Sequence, residues 1–183
     1  MEAVIELQTK RLILREYTHA DFDALYEILS DAETMKHYKE PYDSDGVRLW
    51  IEWNLESYKD FGFGLLAVLL KVQNDENDTF IGDCGITTMQ RIGRWIRPEI
   101  GCHINKKYHR MGLASEAARC CRDYIFENTP FNTVYSYMTA DNAASSGVAV
   151  KNGMKLVDEY TDTDGKRLKA YAIMREDWNA LRT

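Results

Sequence analysis

The stretch "NKKYHRMGLASEAARCCRDYIF" (residues 105–126) gathers Lys106, Lys107, His109 and Arg110 just ahead of Gly112, Ala114 and Ser115, where a helical apolar pattern begins. The chemistry this arrangement suits is anion binding. The first N–H groups of a helix lack intrahelical partners and carry partial positive charge, and a phosphate placed there meets both. Gly112 has no Cβ to hold a ligand away from the main chain, and Arg110 adds a charge-assisted hydrogen bond. The same residues read equally well as a solvated surface loop followed by an ordinary helix. Two rival phosphate motifs fail: no G-x-x-x-x-G-K-[ST] occurs, and "GFGLLA" (Gly62, Gly64, Ala67) fits G-x-G-x-x-[GA] but precedes a strand, where that fingerprint must open a helix.

Metal and thiol chemistry find little support. Cys84, Cys102, Cys120 and Cys121 show no C-x-x-C spacing, and His19, His37, His103 and His109 show no ligand spacing, so no metal site is expected. Cys102 and His103 are adjacent on an expected strand, point to opposite faces and cannot form a nucleophile–base pair. The chain is 45% hydrophobic and 28% charged, a globular balance that argues against disorder. Its net charge of -6 argues against general nucleic-acid binding, which requires neutralising phosphates. The N-terminus lacks the apolar run of a signal peptide, and "GLLAVLLKV" is too short to span a bilayer. The expectation is a cytoplasmic protein with reduced thiols and no membrane partner, monomeric or homodimeric.

The elements that must position the basic loop follow from periodicity. "RLILREY" alternates as a strand; "HADFDALYEILSD", with Thr18 as N-cap, and "SDGVRLWIEWNLESYKDF" read as helices. "GLLAVLLKV", "TFIGDCGITTM" and "IRPEIGCHI" are three strands, with a turn at "NDEND" and Pro98 opening the third. After the loop come the helix "LASEAARCCRDYIFEN", the strand "NTVYSYMT", a short helix from Asp141 or Asn142 to Gly153, and a final hairpin. This predicts one domain over residues 1–183 of α+β (mixed α/β) class, a mixed sheet of about seven strands with helices on both faces.

Several motifs in this order resemble the GNAT (Gcn5-related N-acetyltransferase) superfamily. "YHRMGLASEAA" is similar to its pyrophosphate loop Q/R-x-x-G-x-G/A, with His109, Gly112 and Ala114 in the motif positions. "EIGCHINKKY" is similar to the family's central strand, and "DNAASSGVAVKNGMKL" to its Asn-x-x-Ser…Lys-x-Gly-Met/Phe motif. "TKRLILREYTHADFDALYEI" and "FIGDCGI" resemble the RimJ/RimL-like branch. The resemblance implies a twisted sheet whose central strands splay, with acetyl-CoA in the gap. Backbone groups of Cys102, His103 and Ile104 would pair with pantetheine. His109, Arg110, Met111, Gly112, Leu113 and Ala114 would wrap the pyrophosphate, and Asn142 and Ser145 would contact the cofactor near its reactive end.

It also implies direct attack of a primary amine on the acetyl thioester, which requires a base because an ammonium cannot attack. Glu99, at the start of the central strand and beside the expected acyl end, is the leading candidate; it reads equally as a salt-bridge partner of Arg97 or Arg94. Asp83 is a second candidate, though Gly82 and Gly85 around it also fit a bulge. A tyrosine that many relatives carry in the fourth helix is missing here, where the sequence reads Val148-Ala149-Val150. Ser145, or a water it holds, is the substitute acid, or Ser145 only caps a turn. Tyr38, Tyr42, Trp50, Trp53 and Tyr171 are candidates to shape the acceptor cleft. The acceptor itself stays open between a protein N-terminal amine and a small molecule (polyamine, amino sugar or antibiotic), and a catalytically weak CoA-binding sensor is the rival class.

Overall fold

The computed structural model describes residues 4–72, 78–92 and 95–182. The turn expected over 74–78 lies, except for its last residue, outside them, as does Arg94. The order is β1 (Glu6–Gln8), β2 (Leu12–Arg15), α1 (Phe22–Leu29), α2 (Ser44–Phe61), β3 (Leu65–Leu70), β4 (Thr79–Ile92), β5 (Trp95–Ile104), α3 (Leu113–Asn128), β6 (Thr133–Thr139), α4 (Ala143–Lys151), β7 (Lys155–Thr161), β8 (Arg167–Met174) and α5 (Arg175–Ala180). The strands form one eight-stranded sheet in the order β1-β2-β3-β4-β5-β6-β8-β7. Its pairs are antiparallel except β5 with β6. The fold is the mixed α/β architecture expected. The eighth strand is the three-residue β1, and α5 is a further element that the periodicity did not show.

Helices cover both faces. On one, Trp50 of α2 reaches Asp83 of β4. On the other, Cys121 of α3 donates to the Cys84 carbonyl, and Arg122 of α3 ties to the Asn152 carbonyl beyond α4. Alternation along β4 sends Asp83 and Cys84 to these opposite sides. Buried apolar side chains from Ile5 to Trp178 join a single cluster, in which each fully buried Val, Leu, Ile, Phe or Met adds about 1.5–3 kcal/mol. α5 contributes through Trp178, whose ring stacks 5.1 Å from Phe126.

Two irregularities in β4 set the site. Val68 pairs with Gly82 while Leu69 pairs with Phe80, so Ile81 is an extra residue, a bulge that bends the strand beside Gly82. Further on, Thr87 pairs with Glu99 and Gln90 with Arg97, leaving two β4 residues opposite Pro98. Pro98 therefore sits inside β5 rather than at its start, because the bulge asks no N–H of it. Gly85 is no bulge; it is a close approach, where a Cβ would collide with the Gly64 carbonyl oxygen and lie 2.6 Å from Leu65 Cα. Among the described residues no helix is long and apolar enough to cross a membrane.

Gly85→Ala is expected to destabilise the protein by about 2 kcal/mol or more, seen as a lower urea midpoint with unchanged slope; a midpoint like wild type would mean β3 and β4 can separate locally at no cost.

Candidate active site

The parallel pairing of β5 and β6 consists of one register pair, Glu99 with Tyr135. In a longer ladder the next rung would carry the Tyr137 N–H to the Ile100 carbonyl. Side chains take both groups instead: the Tyr137 N–H bonds the Glu99 carboxylate, and Ser136 Oγ donates to the Ile100 carbonyl at 3.2 Å. Past this point the strands part. Because the Asn105 N–H donates to Ile81 of β4 and His103 pairs with Asp83, alternation turns the amides of Cys102 and Ile104 toward the opening. The His103 amide points the other way, donating to Asp83 Oδ1 at 3.1 Å.

The loop after β5 is built largely by its own main chain. Arg110 has φ 61 and Gly112 φ 77, two left-handed residues that turn successive N–H groups inward, and only the glycine adopts this without strain. Asp43 caps α2 through the Gly46 N–H, and Asn142 caps α4 through the Ser145 N–H. Gly112 gives α3 no side-chain cap, so the amides at its start stay open. The lysines do not line this turn: Lys106 pairs with Asp31 at 2.6 Å and Lys107 with Glu27 at 2.7 Å, fastening the loop to α1. His109 Nε2–H donates to the Ile104 carbonyl at 2.8 Å, which fixes its tautomer. From the other side Arg11 donates to the Met111 carbonyl and, with Thr9, binds Glu116 in the first turn of α3. This clamp, invisible in the sequence, joins the β1–β2 turn to the loop. The Ser145 amide, rather than its hydroxyl, is what Asn142 engages.

Glu99 faces the α2 side of the gap. No ion pair links it to Arg97, which donates to Tyr137 Oη at 3.2 Å and lies 5.1 Å over the Tyr135 ring. Burial pushes the Glu99 carboxyl up to about 7, against the opposing pull of the Tyr137 N–H and of His103. A carboxyl near neutrality that sits at a strand opening is poised to take a proton. Asp83 is fully buried and takes four donors: Tyr17 Oη (2.8 Å) and Trp50 Nε1 (3.1 Å) on Oδ2, the His103 N–H and His103 Nδ1 (2.7 Å) on Oδ1. So enclosed, it orients its neighbours and has no room for an acceptor. Burial opposes charge on His103, yet the Asp83 carboxylate raises it above an ordinary histidine. The sequence offered the His103 side chain only as a partner for Cys102, which strand alternation excludes; it instead joins Asp83 to Tyr38, whose Oη lies 2.5 Å from Nε2. Only strand register could have revealed this.

The aromatics expected in the cleft meet here: Tyr42 packs edge-on to Trp50, and Trp50 contacts both Trp53 and the His103 ring. Tyr171 pairs with Ser136, on the face opposite Glu99, and is buried in the core. Cys102 also faces away from Glu99, toward Cys84 and Cys121; contact with Cys102 and then Cys121 raises the buried Cys84 thiol well above its ordinary value.

A family profile described as "Acetyltransferase (GNAT) domain" matches residues 11–155. The uncharacterized protein YkkB of Bacillus subtilis (strain 168) is 31% identical over 98% of this chain and 100% of its own. Among solved structures, an acetyltransferase (GNAT family) from Bacillus anthracis superposes with TM-score 0.78 at 24% identity, covering 94% of this chain and 99% of that one. RimL, a ribosomal L7/L12 alpha-N-protein acetyltransferase solved with coenzyme A, has TM-score 0.72 at 18% identity over 94% and 98% of the two chains. Spermidine N-acetyltransferase from Vibrio cholerae, solved with CoA and spermine, has TM-score 0.72 at 16% over 93% and 99%.

Glu99→Gln is expected to stabilise the fold at pH 8. The folded carboxyl binds its proton more tightly than the unfolded one, so between about 4.5 and 7 its ionisation increasingly favours unfolding. The gain, on the order of 1 kcal/mol after allowing for partial solvent access, should shrink as pH falls through that window and vanish below it. Thermal melts at pH 4 and 8 check this; an equal shift at both would mean that charge burial is not the cause.

Proposed function

Because this chain belongs to the GNAT acetyltransferase family, we propose that it moves the acetyl group of acetyl-CoA directly to a primary amine, with Glu99 as the base. The observation that carries this is the parting of β5 from β6 immediately after Glu99, with the uncapped start of α3 at the far end of the opening. The turn at Arg110 and Gly112 fits a diphosphate: its main chain is left-handed twice, its helix start is open, and a Cβ on Gly112 would meet only Arg11 Nη2, at 3.7 Å. The backbone from His109 to Ala114 would hold that group, and the amides of Cys102 and Ile104 would pair with the pantetheine arm. Asn142 and Ser145, at the start of α4, would approach the reactive end. Bound there, acetyl-CoA supplies the acyl group and the thiolate leaving group.

The protein's own contributions are orientation and proton removal. The acceptor enters from the α2 face, where Glu99 lies among Tyr38, Tyr137 and Tyr160. Glu99 takes a proton from the ammonium, and an amide freed by the strand opening, at Cys102 or Ile104, donates to the carbonyl oxygen as charge grows on it. Arg97 adds a fixed positive charge two residues along the same strand, and its neighbours are tyrosines rather than carboxylates. That charge favours the α-amine of a peptide over a polyamine, whose remote ammonium it would repel.

The test is release of free CoA from acetyl-CoA with a peptide α-amine, spermidine and kanamycin offered separately, product confirmed by mass gain. The peptide should turn over fastest, with kcat/KM rising as pH passes about 7 as Glu99 deprotonates. Glu99→Gln should remove that rise and lower the rate by about 100-fold or more. No CoA release with any amine would leave a binding domain rather than a transferase. Separately, Gly112→Val forces a β-branched residue to φ 77 and crowds the diphosphate turn. Calorimetry should then show acetyl-CoA affinity reduced by about 30-fold or more, and an unchanged affinity would place the diphosphate elsewhere.

A further inference from the structure

Asp83, His103 and Tyr38 form a chain of hydrogen bonds that ends at the opening. With His103 neutral, each link has one direction. Asp83 is 0% exposed, and each of its oxygens already holds two donors, so it is a carboxylate that accepts from His103 Nδ1–H. With Nδ1–H directed at Asp83, the neutral form of His103, 6% exposed, presents Nε2 as the acceptor for Tyr38 Oη–H at 2.5 Å, and the relay starts from that form although Asp83 holds a proton on His103 more firmly than on an ordinary histidine. The far end is open: Tyr38 is 44% exposed.

The loop that carries Tyr38 is held on both sides of the gap. His37 Nδ1–H donates to Thr139 Oγ1 at the end of β6, at 3.0 Å, and Thr139 in turn donates to Asp141 at 2.6 Å. Lys166 in the β7–β8 turn grips the His37 carbonyl at 2.5 Å. Thus His37 fastens the loop to β6 while Tyr38 fastens it to β5, and the phenol stands over the opening. Alternation along β5 places Glu99, Gly101 and His103 on that same face, and Glu99 acts electrostatically on both Tyr38 and His103.

The reaction proposed above needs more than one proton acceptor. An acceptor nitrogen enters as R–NH3+ and leaves as an amide N–H, so it sheds two protons, while the departing thiolate gains one. We propose that Tyr38 is a second proton-transfer residue of this site, backed by His103 and Asp83 as positioning residues. The inference rests on the transferase reading. Glu99 takes the first proton and returns it to solvent. As the C–N bond forms and the C–S bond breaks, Tyr38 Oη accepts the second proton from nitrogen while passing its own to His103 Nε2. The imidazolium so formed is held by Asp83. The relay then runs back, His103 to Tyr38 to sulfur, so that R–NH3+ and acetyl-CoA give the amide, CoA–SH and one free proton. Sulfur thus receives its proton from Tyr38 rather than from Ser145 of α4 or from the tyrosine that many relatives carry there, where this chain reads Val148-Ala149-Val150.

Tyr38→Phe removes the hydroxyl and leaves the ring. With whichever of the three amines turns over in the wild type, kcat should fall by about 100-fold. The amine KM and the calorimetric acetyl-CoA affinity should stay within about twofold. The rate in mixtures of H2O and D2O should change from a curved to a linear dependence on deuterium content, as one moving proton is lost. His103→Gln should show the same kcat loss, with its melting temperature measured to confirm folding. A Tyr38→Phe kcat within about threefold of wild type, or a raised KM with unchanged kcat, would overturn the relay while leaving Glu99 and the transferase reading intact. A wild type that turns over none of the amines would overturn both.

Discussion

A fully buried carboxylate, Asp83, is the constraint from which the rest of the site follows. Removing a carboxylate from water costs several kcal/mol unless its oxygens are fully occupied. Here the donors come from three separate parts of the chain: Tyr17 after β2, Trp50 in α2 and His103 in β5. Satisfying Asp83 therefore fixes the distance between α2 and the sheet, sets the rotamer and tautomer of His103, and through His103 holds the loop between α1 and α2. The bulge at Ile81 and the bare backbone at Gly82 allow β4 to turn this side chain inward at the place where β5 is about to lose its partner strand.

The opening of the sheet has an equally local origin. One more rung between β5 and β6 would begin to close it, and the groups that would make the rung are engaged by Glu99 and Ser136. Glu99 thus has two roles that pull on each other. Ionised, it accepts the Tyr137 N–H and keeps the strands apart; buried, it resists ionisation and stays near neutrality. The compromise leaves a carboxyl able to change charge in the physiological range beside the place where β5 and β6 part.

Much of this was legible in the sequence, and what was not shares a physical character. α3 was legible at its observed limits because an amphipathic run following a glycine is a local signal, and α2 likewise from Ser44 to Phe61. The order of motifs pointed to the splayed sheet. β1 and α5 escaped because three and six residues carry too little periodicity. Pro98 was misplaced because a proline says where an N–H is not needed, which fits a bulge as well as a strand's beginning. Lys106 and Lys107 looked like anion ligands because composition cannot say that acids 75 and 80 residues away will claim them. The link from Asp83 to His103 depends on a register of two strands, and that is decided by packing on both faces rather than by either strand alone.

The clamp of Glu116 on Thr9 and Arg11 spans more than a hundred positions of the chain. Its partners at the N-terminus are synthesised first and must wait for α3 before they can bind. Closing so long a loop is entropically slow, and the reward comes only when both ends are already ordered. The turn at Gly112 therefore takes its final shape among the last events of folding. A nascent or partly folded chain, even with α3 formed, would lack this fastening, so the shape of the turn and completion of the tertiary structure arrive together.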